Sequence, residues 1–270
     1  MGHSHVGMVA MLPILTYMGH TTYNLPTALV SNTLNYGKFN ILDTTEYMRG
    51  TLPVWKKLNF RFDAICTGLM FSEEQATLVS GYCNQMRHEG TTVFVDPIMG
   101  DGGALYNGIS AKQVGLMRDM VGMADLTFPN LTEACLLAGR DYSDDMTLDE
   151  ANSLLDSIIE LGAKSAIITS AHVDGRSCVV GHRSSVEIAG IRQEHSDGAY
   201  FKIDYEEIPA LFHGTGDIFS AVLIGELMNG NNLKNSTQKA MNVVSQLIER
   251  NISLPDKEGG IPIEQCLDLL

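Results

Sequence analysis

Short runs of β-branched and apolar residues take turns with segments of helical periodicity through most of the chain, and this alternation constrains the fold more than any other feature. Asp63-Ala-Ile-Cys-Thr67, Thr91-Thr-Val-Phe-Val95, the stretch 126–128 and Ser165-Ala-Ile-Ile-Thr169 read as buried strands. Between them lie an amphipathic segment at 44–58 and helices over 72–88, 110–120, 130–138 and 147–161. Ser72, with Gln75 three residues on, marks the start of the second of these. A buried helix over 7–18, bent at Pro13 and ending at Gly19, precedes the series. A hairpin of 176–181 and 185–190, turning near His182-Arg183-Ser184, follows it, and two further helices, one after Asp217 and one over 233–250, end it. Strands separated by helices of this length imply βαβ units, hence an α/β fold whose mainly parallel sheet is covered on both faces. The sequence holds no internal repeat or linker-like tract, so residues 1–270 read as a single domain.

Charge narrows the range of partners. With 18 basic and 32 acidic residues the net charge is −14, which argues against nucleic acid and anionic membranes. An anionic substrate then needs a local site of backbone N–H groups and metal. The five cysteines (Cys66, Cys83, Cys135, Cys178 and Cys266) form no Cys-x-x-Cys pair, and buried reduced thiols are expected. No run approaches the roughly 18 apolar residues of a membrane span, and the first residues lack the pattern of a secretory signal. A cytoplasmic protein is expected.

One stretch carries chemistry: Phe212-His-Gly-Thr-Gly-Asp-Ile-Phe-Ser-Ala221. Gly214 and Gly216 let the backbone approach a ligand closely, and an apolar, proline-free helix follows. Unpaired N–H groups and the positive dipole end at such a helix start suit a transferring phosphate. Asp217 on the first turn is placed to take a proton from an attacking hydroxyl, although the same residue could serve only as an N-cap. His213 flanks this anion site and could tune it, with packing or capping as the more common role, and His3-x-His5 reads as an exposed pair without a third metal ligand. Polar residues also stand just after three strands: Asp96 to Gly103, Pro129-Asn-Leu-Thr-Glu133, and Thr169-Ser170. Ligands gather at such strand ends in open α/β sheets, so these groups and the Gly-Thr-Gly-Asp turn are expected to line one crevice.

Asp96-Pro-Ile-Met-Gly-Asp-Gly-Gly-Ala-Leu-Tyr106, Pro129-Asn-Leu-Thr-Glu133 and Gly214-Thr-Gly-Asp-Ile-Phe-Ser-Ala221, in this order, resemble the ribokinase-like superfamily and within it the pyridoxal (vitamin B6) kinases. Pro26-Thr-Ala-Leu-Val-Ser-Asn32 with Tyr36-Gly37 is similar to the segment that family places near its pyridine ring. The resemblance implies a three-layer sandwich, a homodimer, and transfer of a phosphoryl group from ATP to the hydroxymethyl group of pyridoxal, pyridoxine or pyridoxamine, yielding pyridoxal 5'-phosphate from pyridoxal. It implies Asp217 as catalytic base and the N–H groups of Gly214, Thr215 and Gly216 as the anion hole. It further implies Asp96, Asp101, Asn130, Glu133, Thr169 and Ser170 on the nucleotide side, with Glu133 and Asp96 near Mg2+, and Thr27 near the substrate. A monovalent cation is left open.

Two features depart from the family pattern. The family's first strand and its serine loop precede the point that matches residue 7, so this strand is expected to be missing. Where many pyridoxal kinases carry Gly-Tyr, with the ring on the pyridine, Thr67-Gly68 is followed here by Leu69. A hydroxymethylpyrimidine or hydroxymethylpyrimidine-phosphate kinase shares both end motifs and is the close alternative. An impaired, ligand-binding member of the same fold is the alternative of another class.

Overall fold

The computed structural model describes residues 2–106, 109–183, 188–190 and 198–270. In chain order these form α1 (Met8–Tyr17), β1 (Ala28–Val30), β2 (Ile41–Asp43), α2 (Thr45–Lys57), β3 (Ala64–Thr67), α3 (Glu73–His88) and β4 (Thr92–Val95). There follow β5 (Gly100–Asp101), β6 (Ala104–Leu105), α4 (Ala111–Val121), β7 (Leu126–Thr127), α5 (Leu131–Ala138) and α6 (Leu148–Glu160). The series closes with β8 (Ser165–Val173), β9 (Arg176–His182), β10 (Tyr200–Asp204), α7 (Thr215–Met228) and α8 (Leu233–Asn251). They fall into two compact units, one of residues 1–44 and 207–270, the other of 45–206.

The second unit holds a six-stranded sheet in the order β10-β9-β8-β7-β4-β3. The pairs β3–β4, β4–β7 and β7–β8 are parallel, as the alternation implies, whereas β8–β9 and β9–β10 are antiparallel. Val93, Phe94 and Val95 on β4 are fully buried, so both faces of this strand are covered. Burial of each such side chain stabilises by about 1.5–3 kcal/mol. β7 has only two residues, and a carboxylate helps to fix its alignment. Buried Asp125 accepts the Val93 N–H at 2.7 Å and pairs with Lys164 Nζ at 2.6 Å, so it ties the starts of β4, β7 and β8 together.

Helix ends follow the sequence closely. Ser72 accepts the Gln75 N–H at 3.2 Å, and capping boxes open α4 (Ser110 with Gln113), α5 (Asn130 with Glu133) and α6 (Thr147 with Glu150). Arg118 on α4 donates to the carbonyls of Leu136 and Leu137, both at 2.8 Å, and so satisfies orphan acceptors at the end of α5.

The expected hairpin of 176–181 with 185–190 is corrected. Strand β9 pairs with β8 across the turn at Asp174-Gly175, and on its other side with β10. Asp174 and Gly175 both adopt positive φ (53° and 71°), which brings β8 and β9 together earlier in the chain than the expected turn. Residue 184 of the expected turn and residues 185–187 of the expected second arm lie outside the described residues.

The first unit contains α1, α7 and α8, with the antiparallel pair β1–β2. α7 is apolar on all sides, and Ile218 to Gly225 are buried without a break. Gly225 leaves room for the Met18 side chain, whose sulfur would lie 2.5 Å from an added Cβ. Pro13 is accommodated inside α1.

Candidate active site

In the first unit the chemistry gathers at the start of α7. Gly214 is the N-cap, in the left-handed region at φ 85°, and a Cβ there would come within 2.8 Å of the His5 carbonyl oxygen. The first intrahelical bond runs from the Ile218 N–H to the Gly214 carbonyl at 3.0 Å. The N–H groups of Thr215, Gly216 and Asp217 therefore have no acceptor within the helix and can serve an anion. Thr215 Oγ1 donates to the Phe212 carbonyl at 3.3 Å, and Phe212 is buried, which anchors the turn from below.

Asp217 is the third residue of α7 rather than its cap, which settles the choice between cap and first-turn acid. Its Oδ2 accepts the Gly7 N–H at 2.7 Å, from the N-cap residue of α1, so the starts of two helices meet at one carboxylate. Burial pushes its pKa up to about 6, while the Gly7 N–H pulls it down. Gly7 adopts φ 63°, and a Cβ there would meet nothing within 4 Å; its glycine character answers to the backbone angle, not to space. Thr27 is half-buried just before β1, where its carbonyl accepts the Thr44 N–H at 3.5 Å.

In the second unit the polar strand ends are joined into one network. Asp96 follows β4 and its N–H donates to the Thr67 carbonyl at 3.2 Å. From there the chain makes the small hairpin β5–β6, which rests on the start of α5. Glu133 Oε1 accepts the Met99 N–H and Oε2 the Asn130 N–H, both at 2.9 Å. Asn130 Oδ1 accepts the Glu133 N–H at 2.9 Å, and its Nδ2 donates to the Gly100 carbonyl at 2.8 Å. Thr132 Oγ1 accepts the Gly103 N–H at 2.9 Å, and the Tyr142 ring lies where a Cβ on Gly103 would stand, 2.9 Å away. Asp101 is exposed, with Oδ1 accepting the Gly102 N–H at 2.8 Å.

Glu133 is buried, and burial pushes its pKa up to about 7; the Asp101 charge adds to this, while the surrounding backbone N–H groups oppose it. Asn130 bridges to Thr169, whose N–H donates to the Pro129 carbonyl at 2.9 Å. A register shift between Ile168 and Ala171 then brings exposed Ser170 into positive φ, 54°. Thus Asp101, Asn130, Glu133 and Thr169 share one network with the loop that Asp96 opens. Among the described residues no group of three or more His, Cys, Asp or Glu is arranged to hold a metal ion. Magnesium suits such sparse ligation, since it keeps several waters and takes substrate phosphates as ligands. Each Glu133 oxygen accepts one backbone N–H group, which leaves each a further lone pair for a metal-bound water.

The sequence reading did not single out Gly7, Thr132 or Tyr142. Each acts on a partner remote in sequence or through its backbone, and for Thr132 and Tyr142 this leaves no local pattern. Gly7 alone carries a signal, a glycine just before an apolar helix.

Residues 7–262 match the family model described as phosphomethylpyrimidine kinase. Among curated proteins, a pyridoxal kinase of Arabidopsis thaliana is 27% identical over 209 residues, 76% of this chain and 64% of that protein. A hydroxymethylpyrimidine/phosphomethylpyrimidine kinase of Staphylococcus aureus is 28% identical over 188 residues, 69% of this chain and 62% of that one. The matched region thus spans less than two thirds of either relative. Among solved structures, one from Bacteroides thetaiotaomicron, assigned provisionally as a phosphomethylpyrimidine kinase, superposes with a TM-score of 0.90 at 33% identity, covering 98% of this chain and 89% of that one. A second crystal form of that protein was solved with pyridoxal. Pyridoxal kinase from Lactobacillus plantarum superposes with a TM-score of 0.84 at 25% identity, covering 98% and 91%. The fold is the ribokinase-like one expected from the motifs, and the chain belongs to the phosphomethylpyrimidine kinase family.

Proposed function

We propose that the protein transfers the γ-phosphoryl group of ATP to the hydroxymethyl group of a B6 vitamer: pyridoxal, pyridoxine or pyridoxamine. The observation that carries this reading is the start of α7. A half-buried carboxyl with a pKa of about 6 stands on the same helical turn as N–H groups that have no intrahelical acceptor. A base and an anion site in one turn are what phosphoryl transfer to an alcohol needs.

In this mechanism the substrate hydroxyl gives its proton to Asp217, and its oxygen forms the new bond to the γ-phosphorus. The bond from that phosphorus to the β–γ bridging oxygen breaks, and ADP leaves with the electron pair. The N–H groups of Gly214, Thr215 and Gly216 receive charge on the transferring oxygens. Asp96, Asp101, Asn130, Thr169 and Ser170 attend the nucleotide phosphates, and Glu133 acts by holding the 99–103 loop in place. Asp96, with Glu133 through water, would hold magnesium, which would neutralise charge on the nucleotide phosphates. A cytoplasmic homodimer belongs to the same reading, and sedimentation equilibrium decides the assembly.

A second reading, phosphorylation of hydroxymethylpyrimidine or its phosphate, draws on the family model and on Leu69 in place of an aromatic ring. The B6 reading draws on the pyridoxal held by the Bacteroides relative. A coupled assay for ADP release with each ring alcohol separates the two. A higher kcat/KM for hydroxymethylpyrimidine than for every B6 vitamer overturns the first. Absence of turnover with all of them points instead to a ligand-binding member of the family.

A further inference from the structure

Residues 256–260, which follow α8, form a loop against the turn that leads into α7. The His213 N–H donates to the Lys257 carbonyl at 3.5 Å, and His213 Nε2 lies 2.8 Å from Glu258 Oε2. Gly260, at φ 80°, closes the fit: a Cβ there would lie 2.8 Å from the His5 carbonyl oxygen and 3.0 Å from that of His213.

The loop is itself anchored elsewhere in the same unit. Asp256 Oδ2 accepts the Tyr36 hydroxyl at 2.5 Å, and Oδ1 accepts the N–H groups of Glu258 and Gly259 at 3.1 and 3.3 Å. The Glu258 carbonyl accepts Thr33 Oγ1 at 3.2 Å, and the Gly259 carbonyl accepts the His5 N–H at 2.7 Å. Asn35 Nδ2 stands 3.0 Å from the same nitrogen, His213 Nε2, so Glu258 and Asn35 meet the ring at one atom.

An imidazole–carboxylate contact with side chains 28% and 48% exposed adds little to stability. Its position gives it another use. His213 immediately precedes Gly214, whose freedom to rotate is the greatest of any residue type. Donors that receive transition-state charge act only when their direction is fixed beforehand.

We propose that His213 is a positioning residue for phosphoryl transfer: held by Glu258, its side chain fixes the backbone at 213–214 and so aims the N–H groups of Gly214, Thr215 and Gly216. This inference rests on the kinase reading. In its terms, His213→Ala and Glu258→Ala lower kcat by about 10- to 100-fold, less than the 10²–10³ lost when an oxyanion donor is removed outright. KM for the ring alcohol stays within about twofold, and the double variant is no slower than either single one, as expected for residues acting as a unit. His213→Gln, which offers an amide Nε2 close to the lost imidazole nitrogen, recovers most of the rate. Unchanged kcat in Glu258→Ala, or no recovery in His213→Gln relative to His213→Ala, overturns the proposal.

Wild-type protein that phosphorylates no ring alcohol sinks the kinase reading instead. The positioning is then measured directly, by amide hydrogen exchange at residues 213–216 in wild type and Glu258→Ala. Exchange about tenfold faster in the variant supports the aiming role, and equal rates overturn it.

Discussion

Asp217 concentrates the consequences at the scale of one residue. Asparagine at this position keeps an oxygen for the Gly7 N–H and removes a charge that burial disfavours, so Asp217→Asn folds with near-native stability. It cannot take the substrate proton. Turnover falls by at least about a hundredfold, the lower end of what a positioned base contributes, while nucleotide binding by calorimetry is retained. Full activity in this variant removes the proposed mechanism. The wild-type pH profile gives an independent check. The base works unprotonated, so kcat/KM falls tenfold per pH unit below the Asp217 pKa of about 6. An acid limb near the ordinary aspartate value of about 4 would mean that another group sets the profile.

At the scale of elements, α5 and the hairpin β5–β6 behave as one piece because Glu133 joins them. In Glu133→Gln one oxygen becomes an NH2 group facing a backbone N–H, and a buried donor loses its acceptor, at a cost of about 1–3 kcal/mol. The variant is expected to melt several degrees lower and to show a raised KM for magnesium–ATP, because the loop that carries Asp101 loosens. An unchanged Tm and unchanged magnesium dependence would show that the loop does not rely on this carboxylate. The Asn130-x-x-Glu133 spacing was legible in the sequence as a pattern tied to phosphate and metal. What it did not disclose is that Glu133 spends its second oxygen on Met99, a contact 34 positions away. The helices were legible because their caps and apolar faces are local. β1 and β2 were not, since β2 is exposed at all three positions and has no inward face to pattern it. β10 does alternate, with Phe201 and Ile203 buried, but its pairing with β9 across more than fifteen residues leaves no turn signal.

At the scale of the whole molecule, proton binding links the two units to stability. Asp217 and Glu133 both have pKa values raised above the ordinary carboxylate range, so the folded chain holds protons that the unfolded chain has released. Their effect is therefore to lower stability as pH rises, from 3.8 to about 6 for Asp217 and from 4.5 to about 7 for Glu133. Glu150, Asp256 and Asp268 act in the opposite sense. Backbone and side-chain hydrogen bonds from Thr147, the Tyr36 hydroxyl and Arg250, respectively, hold them low, so their contribution is lost as pH falls. Self-repulsion from a net charge of −14 adds to the loss at high pH. The melting temperature is thus expected to be higher near about pH 5 than near about pH 8, and Asp217→Asn should narrow the gap. A scanning calorimetry series with the opposite slope would contradict this assignment of raised carboxyls.

The carboxylate of Asp125 bears on time rather than on strength. Parallel strands have no tight turn to bring them into register, and β7 offers its neighbours only two residues with which to find it. A chain searching for that alignment has few contacts by which to tell a right pairing from one slipped by a residue. The bonds from Asp125 to Val93 and Lys164 exist in only one of those pairings. If they form while the sheet is assembling, Asp125→Ala slows the refolding limb of a chevron plot more than it speeds the unfolding limb. If only the unfolding limb moves, the register is found by other means and Asp125 merely locks it afterwards.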